Sequence, residues 1–129
     1  MEITFYVWSN GNVQNINNSY TAISDIKLKE NIVDATPKLD DLMKVKIKNY
    51  NLIGTDLKQI GVVAQELEDV FPNLIDEHQD KGKDENGKQI DLETTTKSVK
   101  YSVFVPILIK AIQELTAKVE KLEKNCNCK

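Results

Sequence analysis

Ser24 and Lys29 are two residues whose types could form a catalytic pair. A serine hydroxyl is a weak nucleophile until a base removes its proton, and a neutral lysine amine can act as that base. An ordinary lysine has a pKa of ~10.4, so burial or a nearby cation must favour the neutral amine. The chemistry that such a pair supports is attack of the hydroxyl on a peptide carbonyl, and therefore peptide cleavage.

The separation of five residues restricts how the two side chains can meet. In a regular helix, positions 24 and 29 lie about 140° apart around the axis, since each residue advances by ~100°. Contact therefore requires Ser24 to lie outside a helix, at its cap or in a preceding strand. On spacing alone, Ser24 and Asp25 are more simply explained as a helix cap or a turn, and Lys27 is an equal candidate base.

The residues before Ser24 differ in character from those after it. Ile3 to Trp8 is aromatic and β-branched and predicts a strand, and Asn10-Gly11-Asn12 predicts a turn. Residues 13–23 are rich in Asn and contain no Lys or Arg. This stretch has no core of its own, so we interpret it as the end of a larger β structure.

The elements between Ser24 and the C-terminal segment are predicted to be short. Helices are predicted over roughly 25–33, 39–43 and 64–71, and a hairpin from strands at 44–50 and 57–63. Residues 76–98 form a polar stretch that is too long for an ordinary connection. This stretch predicts either an extended hairpin or a flexible arm, and its composition favours disorder.

The C-terminal segment carries apolar residues at alternating spacings of three and four. We call these residues the heptad seam: Val105, Leu108, Ile112, Leu115, Val119, Leu122 and Cys126. The strict spacing favours a coiled coil between chains over about 105–125. The alternative is one amphipathic helix packed on its own domain. In parallel model peptides, β-branched residues alternating with Leu favour a coiled coil of two helices, so the seam itself does not predict three chains.

Composition excludes several classes of function. The formal net charge of −3 argues against a broad nucleic-acid surface, and no apolar run reaches the ~20 residues that span a bilayer. Cys126 and Cys128, with the distant His78, are too few ligands for structural zinc, so free thiols are expected there. The alternative is an interchain disulfide, if the helices bundle there in an oxidising compartment. No phosphate-binding glycine loop is present, and neither a metal nor a cofactor is expected.

Three blocks resemble, in order, the S74 peptidase family of intramolecular chaperone domains. They are SDIKLKENI at 24–32, IGVVAQEL at 60–67 followed by VFP at 70–72, and VKYS at 99–102 followed by PILIKAIQEL at 106–115. The resemblance covers roughly residues 24–123. It implies a C-terminal domain of phage tailspikes and neck appendages that trimerises and helps three chains wind into a triple β-helix.

The resemblance also implies self-cleavage just before the motif serine. The scissile bond would be Ile23–Ser24, with Ser24 as nucleophile and Lys29 as base. Residues 1–23 would then end the β-rich client fibre, and 24–129 would form the chaperone domain. A pair assembled only after the client strands pack would make cutting depend on correct folding.

The expected fold class is therefore α+β: a small hairpin-containing domain, a projecting arm at 76–98, a trimeric coiled coil, and a preceding β segment. The expected partners are two further copies of the chain and the upstream client, with no nucleic acid and no membrane.

Gln65 and Glu66 are candidate supporting residues, or equally a turn and helix start. The resemblance implies a virion precursor that is assembled in the host cytoplasm, with the chaperone released after cleavage. The alternative function is a non-cleaving trimerisation cap of a viral fibre.

Overall fold

The computed structural model describes residues 2–126, which form an α+β arrangement of short antiparallel hairpins and a C-terminal helix. Contacts within the chain define two units, Met1–Asp34 and Ala35–Lys129. The α+β class predicted from the sequence is confirmed, as are its hairpins and its C-terminal helix.

The first unit begins with a hairpin of β1 (Phe5–Val7) and β2 (Val13–Asn15). The strands are antiparallel, and Gly11 reverses the chain with a φ of +91°, a conformation that glycine adopts without steric cost. The Trp8 indole N–H donates to Gln14 Oε1 at 2.9 Å across the pair. The predicted strand and turn are confirmed, and the hairpin's side chains stay largely exposed.

The helix predicted over 25–33 is wrong in type and length. The structure has one turn of 3₁₀ helix at Ile26–Leu28, which ends because Lys29 returns to extended backbone. Asn31 then adopts a φ of +54°, which a continuing right-handed helix does not allow. The apolar side chains of the segment are all exposed, so no packing stabilises a longer helix.

The second unit contains the remaining elements. In chain order they are α1 (Leu39–Leu42), β3 (Lys48–Tyr50), β4 (Gln59–Gly61), α2 (Ala64–Glu68), a 3₁₀ helix (Pro72–Leu74), β5 (Ile75–Lys83), β6 (Gln89–Val99), a second 3₁₀ helix (Tyr101–Val103) and α3 (Phe104–Cys126). The β3–β4 hairpin and the three helices predicted here are confirmed in type. The strands and α2 are shorter than the sequence pattern predicts.

A small apolar core holds the second unit together. Its buried members are Leu67, Phe71, Leu74, Ile107 and Ala111. They come from α2, the residues up to the end of the following 3₁₀ helix, and one face of α3. Leu67, Phe71, Leu74 and Ile107 form a single cluster, so these elements pack around it. Burying each large aliphatic side chain stabilises by roughly 1.5–3 kcal/mol, and five residues make this core small for the chain.

Glu114 of α3 caps the N-terminus of α1. Its Oε2 accepts the backbone N–H groups of Lys38 at 2.8 Å and Leu39 at 3.2 Å. Helix α1 is one turn long and has no cap from its own N-cap side chain, so its first N–H groups depend on Glu114. The contact ties α1 to the middle of α3.

We expect Glu114→Ala to lower the free energy of unfolding by about 1–2 kcal/mol, because two half-buried N–H groups lose their acceptor. Urea unfolding at fixed protein concentration measures the change. Glu120→Ala is the matched control, since Glu120 lies on the same helix and is exposed. Equal losses in the two variants would contradict the capping role.

The polar stretch at 76–98 is a folded hairpin, so the expectation of disorder is wrong and the hairpin alternative is confirmed. Strands β5 and β6 pair antiparallel from Ile75–Val99 to Lys83–Gln89, with one irregularity beside Gln79. At the turn, Asp84 Oδ1 accepts the N–H groups of Asn86 and Lys88, each at 2.9 Å. We call this hairpin the arm.

Side chains across the strands stabilise the arm where an apolar core is lacking. The hydroxyls of Thr94 and Thr96 each donate to Asp80 at 2.6 Å, and these bonds hold the pKa of the carboxyl below its ordinary value. At the base, Lys97 donates to Glu68 of α2, and this bond raises the pKa of the lysine. The arm is thus anchored to the core-forming helix by a charged pair.

Helix α3 buries one face and leaves the heptad seam uncovered. Ile107 and Ala111 pack into the core, whereas the seam residues from Val105 to Leu122 are 45–67% exposed. Helix α3 therefore packs on its own domain, as the alternative expects, but through Ile107 and Ala111 and not through the seam. Within residues 2–126, no helix is long and apolar enough to cross a membrane.

Cys126 is disulfide-bonded, which corrects the expectation of a free thiol, and Cys128 lies outside the described residues.

Candidate active site

Ser24 and Lys29 are in direct contact. Lys29 Nζ donates to Ser24 Oγ at 2.5 Å. A proton passing from the hydroxyl to a neutral amine would move between these same two atoms, so the distance suits general-base catalysis. Both residues are exposed in the single chain.

The residues between the pair create this contact locally. Asp25 is the N-cap of the 3₁₀ turn, and its carboxylate accepts the Lys27 N–H at 2.9 Å. Lys29 closes the turn by donating its N–H to the Ile26 carbonyl at 3.1 Å. A 3₁₀ turn has three residues, so one turn separates the extended backbone of Asp25 from that of Lys29. Ser24 therefore lies outside the helix, as contact at this spacing requires.

The structure distinguishes the two candidate bases. Within residues 2–126, Lys29 is the lysine whose Nζ contacts Ser24 Oγ. Lys27 lies inside the 3₁₀ turn, where its backbone N–H is held by Asp25. The geometry thus favours Lys29, the residue that the family resemblance implies.

The bond before Ser24 is open to solvent. Ile23 is 87% exposed and lies in irregular backbone between β2 and the 3₁₀ turn. Among the hydrogen bonds of the described residues, none is donated to the Ile23 carbonyl oxygen. Attack at this carbonyl would place negative charge on that oxygen, and stabilising this charge requires N–H donors.

Gln65 and Glu66, the candidate supporting residues, lie in the second unit at the start of α2. Gln65 is exposed. Glu66 Oε1 lies 3.8 Å from Lys48 Nζ and 4.0 Å from Lys46 Nζ, and its Oε2 is buried with no partner among the described residues. A half-buried carboxylate in the first turn of a helix is also favoured by the helix dipole.

The role of Lys46 and Lys48 beside Glu66 was not anticipated from the sequence. Alternation in residues 44–50 indicated a half-buried strand but did not indicate which group its lysines meet. Residues two apart on a strand lie on one face, so their shared direction was a usable signal. What the sequence lacked was the position of α2 relative to that face.

Gly61 and Tyr101 connect the second and third resembling blocks. The Val62 N–H donates to the Tyr101 hydroxyl at 3.2 Å. A Cβ added at Gly61 would lie 2.6 Å from that hydroxyl and 3.2 Å from the Tyr50 hydroxyl. The close approach of two tyrosine hydroxyls to this position therefore explains why residue 61 is a glycine.

A protein-family model described as the chaperone of endosialidase, Peptidase S74, matches residues 24–76. The match begins at Ser24 and includes Lys29, Gln65 and Glu66. The block at 99–115 lies outside it, so the resemblance there stays a prediction. No curated protein matches the chain. Among residues 2–126, no three His, Cys, Asp or Glu side chains are grouped to hold a metal ion.

Proposed function

We propose that this chain, whose residues 24–76 match the S74 chaperone model, trimerises, assists folding of an upstream triple β-helix, and then releases itself by cutting Ile23–Ser24. The chaperone role is what the family match supports directly. Trimerisation, the identity of the client and self-cleavage are the further parts of the proposal. The contact between Ser24 Oγ and Lys29 Nζ is the observation that carries it.

Two surfaces support assembly with other chains. The heptad seam is uncovered, although its apolar residues are costly to leave in water. The arm is a two-stranded hairpin that projects without a sheet neighbour, so both of its edges can meet client strands. We propose three chains because the resembling family is trimeric, since the seam does not specify the number.

The proposed reaction uses only residues of this chain and water. Ser24 Oγ attacks the Ile23 carbonyl carbon while Lys29 Nζ takes the hydroxyl proton. The C–N bond to Ser24 then breaks, the amine leaves with that proton, and Ile23 is held as an ester on Ser24 Oγ. Water hydrolyses the ester. The alternative route has a water attack the same carbonyl, with Lys29 as its base. Either way, each chain reacts once.

Assembly is proposed to supply the two requirements that the exposed pair lacks. Burial by neighbouring chains or client strands favours a neutral lysine amine over an ammonium. Backbone N–H groups brought to the Ile23 carbonyl would stabilise the oxyanion. Gln65 and Glu66 remain candidates for a supporting role.

Mass spectrometry of the freshly purified full chain tests the proposal. We expect a product whose N-terminal residue is Ser24 and a matching fragment that ends at Ile23. The chain should be folded and assembled before measurement, since the proposed burial depends on assembly. An assembled chain that stays intact would contradict the self-cleavage.

One observation favours a non-cleaving trimerisation cap as the second candidate. Both members of the pair and Ile23 are exposed, so nothing in the single chain excludes water from the site. On this alternative, Lys29 holds Ser24 as a structural hydrogen-bond donor. An intact chain with a trimeric mass would support it.

A further inference from the structure

The turn between β3 and β4 presents two apolar side chains to solvent. We call Leu52 and Ile53 the hairpin tip. Leu52 is more than half exposed and Ile53 is fully exposed. The turn is nevertheless well bonded, because Asn51 Nδ2 donates to the Thr55 carbonyl at 2.6 Å and Thr55 N–H donates to the Leu52 carbonyl at 2.9 Å. A hydrogen-bonded turn therefore holds an isoleucine in a fully exposed position.

The same unit contains an apolar groove. It encloses about 510 Å³ and is lined by Leu42, Val45, Ile47, Gly61, Val62, Tyr101, Phe104, Val105 and Leu108. The lining comes from α1 and the segment after it, the base of the β3–β4 hairpin, the second 3₁₀ helix and the start of α3. Since ~150 Å³ suffices for a benzene molecule in an apolar cavity, the groove has room for more than one aliphatic side chain.

The hairpin tip of a chain cannot fill that chain's own groove. Ile47 and Gly61 line the groove at the hairpin base, whereas the strands pair from Lys48–Gly61 to Tyr50–Gln59. Ile53 lies three residues beyond Tyr50, at about 3.3 Å of rise per residue. Paired strands keep the tip away from the base, so a hairpin tip that occupies this groove has to belong to another copy of the chain.

We propose that the hairpin tip of one chain occupies the groove of a second copy of this chain. The proposal rests on the proposed trimer and adds the contact that closes it. Val105 and Leu108 belong both to the groove lining and to the heptad seam, so a chain that packs on the seam lies next to the groove. An apolar tip and an apolar groove on one unit are the two complementary halves of a single interface.

The contact fits a ring of three. Tip and groove are different surfaces, and in a cyclic trimer each chain gives one tip and accepts one. Two chains around a two-fold axis could also exchange tips, so the number three comes from the proposed trimer and not from this contact. The coiled coil proposed at the seam would fix the rotation and close the ring, which prevents open-ended growth.

The test compares variants of the full chain carrying Ser24→Ala, so that it stays uncut. Ile53→Asp should weaken association measured by sedimentation by roughly tenfold to a hundredfold, since an isoleucine would no longer be buried at each contact. Ile47→Lys alone should also weaken it, because Ile47 lines the groove and is 63% exposed, so the monomer folds without it. Met43→Asp is the control, at 75% exposure outside the groove.

Combining Ile53→Asp with Ile47→Lys should restore part of the lost association, because the new charges are opposite and meet across the interface. That non-additivity supports direct contact. An Ile53→Asp chain that associates as tightly as the Met43→Asp control overturns the inference and leaves the proposed trimer intact. If Ile53→Asp instead impairs only client folding, the tip binds the client and the inference is wrong. A parent chain that does not associate at all contradicts the trimer itself.

Discussion

Replacing Ser24 by Ala, or Lys29 by Ala, should abolish the fragment that begins at residue 24. Ser24→Ala removes the nucleophile, and Lys29→Ala leaves the hydroxyl without the amine that contacts it at 2.5 Å. Loss of a nucleophile or its base typically costs 10³-fold or more in rate. With one turnover per chain, such a loss leaves the chain intact over the time of purification. Mass spectrometry of the assembled full chain measures the result.

Lys29→Arg separates a base from a hydrogen-bond donor. A guanidinium can still donate to Ser24 Oγ, but it stays protonated and cannot accept the hydroxyl proton. We therefore expect no cleavage in Lys29→Arg, with assembly unchanged. Lys27→Ala is the matched control, since it removes a lysine from the same turn and should cut normally. Continued cleavage at Ile23–Ser24 in Lys29→Ala would contradict the assignment of the base.

Placing a carboxylate in the heptad seam should dissociate the assembly. Leu115 lies in the middle of the seam and is exposed in the single chain, so Leu115→Asp leaves the monomer's own core unchanged. In an assembled coiled coil the same position is desolvated, and an unpaired charge there is strongly destabilising. Association should weaken by roughly 10²-fold or more, measured by sedimentation over a range of concentrations.

Ala117→Asp provides the comparison for Leu115→Asp. Ala117 is exposed on the same helix and lies outside the seam, two residues from Leu115. It should change the mass of the assembly little. If both variants associate equally well, the seam is not the interface. The mass of the unsubstituted assembly separates three chains from the two that the seam residues favour in model peptides.

The sequence predicted elements best where periodicity and termination signals agreed. Helix α3 begins within one residue of the predicted start because the apolar spacing is regular and Pro106 is tolerated in a first turn. The predictions failed where hydrogen bonds between particular side chains determined the local structure. The arm is polar, but threonines on β6 meet carboxylates on β5, and no apolar pattern reports such pairs. The Thr-rich run at 94–96 and the turn residues at 84–87 could have been used to predict the hairpin.

The candidate site was predictable only in part. Spacing alone left Lys27 and Lys29 equivalent, and the preference for Lys29 came from resemblance before the geometry supported it. The 3₁₀ turn that joins the pair was not predicted, because three residues carry too little pattern to separate it from the start of a longer helix. The environment of Glu66 depends on long-range packing that no local signal encodes.

The Ser24–Lys29 contact has a consequence for how cutting would be timed. Four intervening residues and one cap create it within a single chain, before any client or neighbouring chain is present. A checkpoint on folding cannot then operate by bringing these two side chains together. It has to act on what the isolated chain lacks, namely exclusion of water from the amine and a fixed position for the Ile23 carbonyl. Hydration of the amine, rather than separation of the two side chains, would then protect an unfinished fibre from early cleavage.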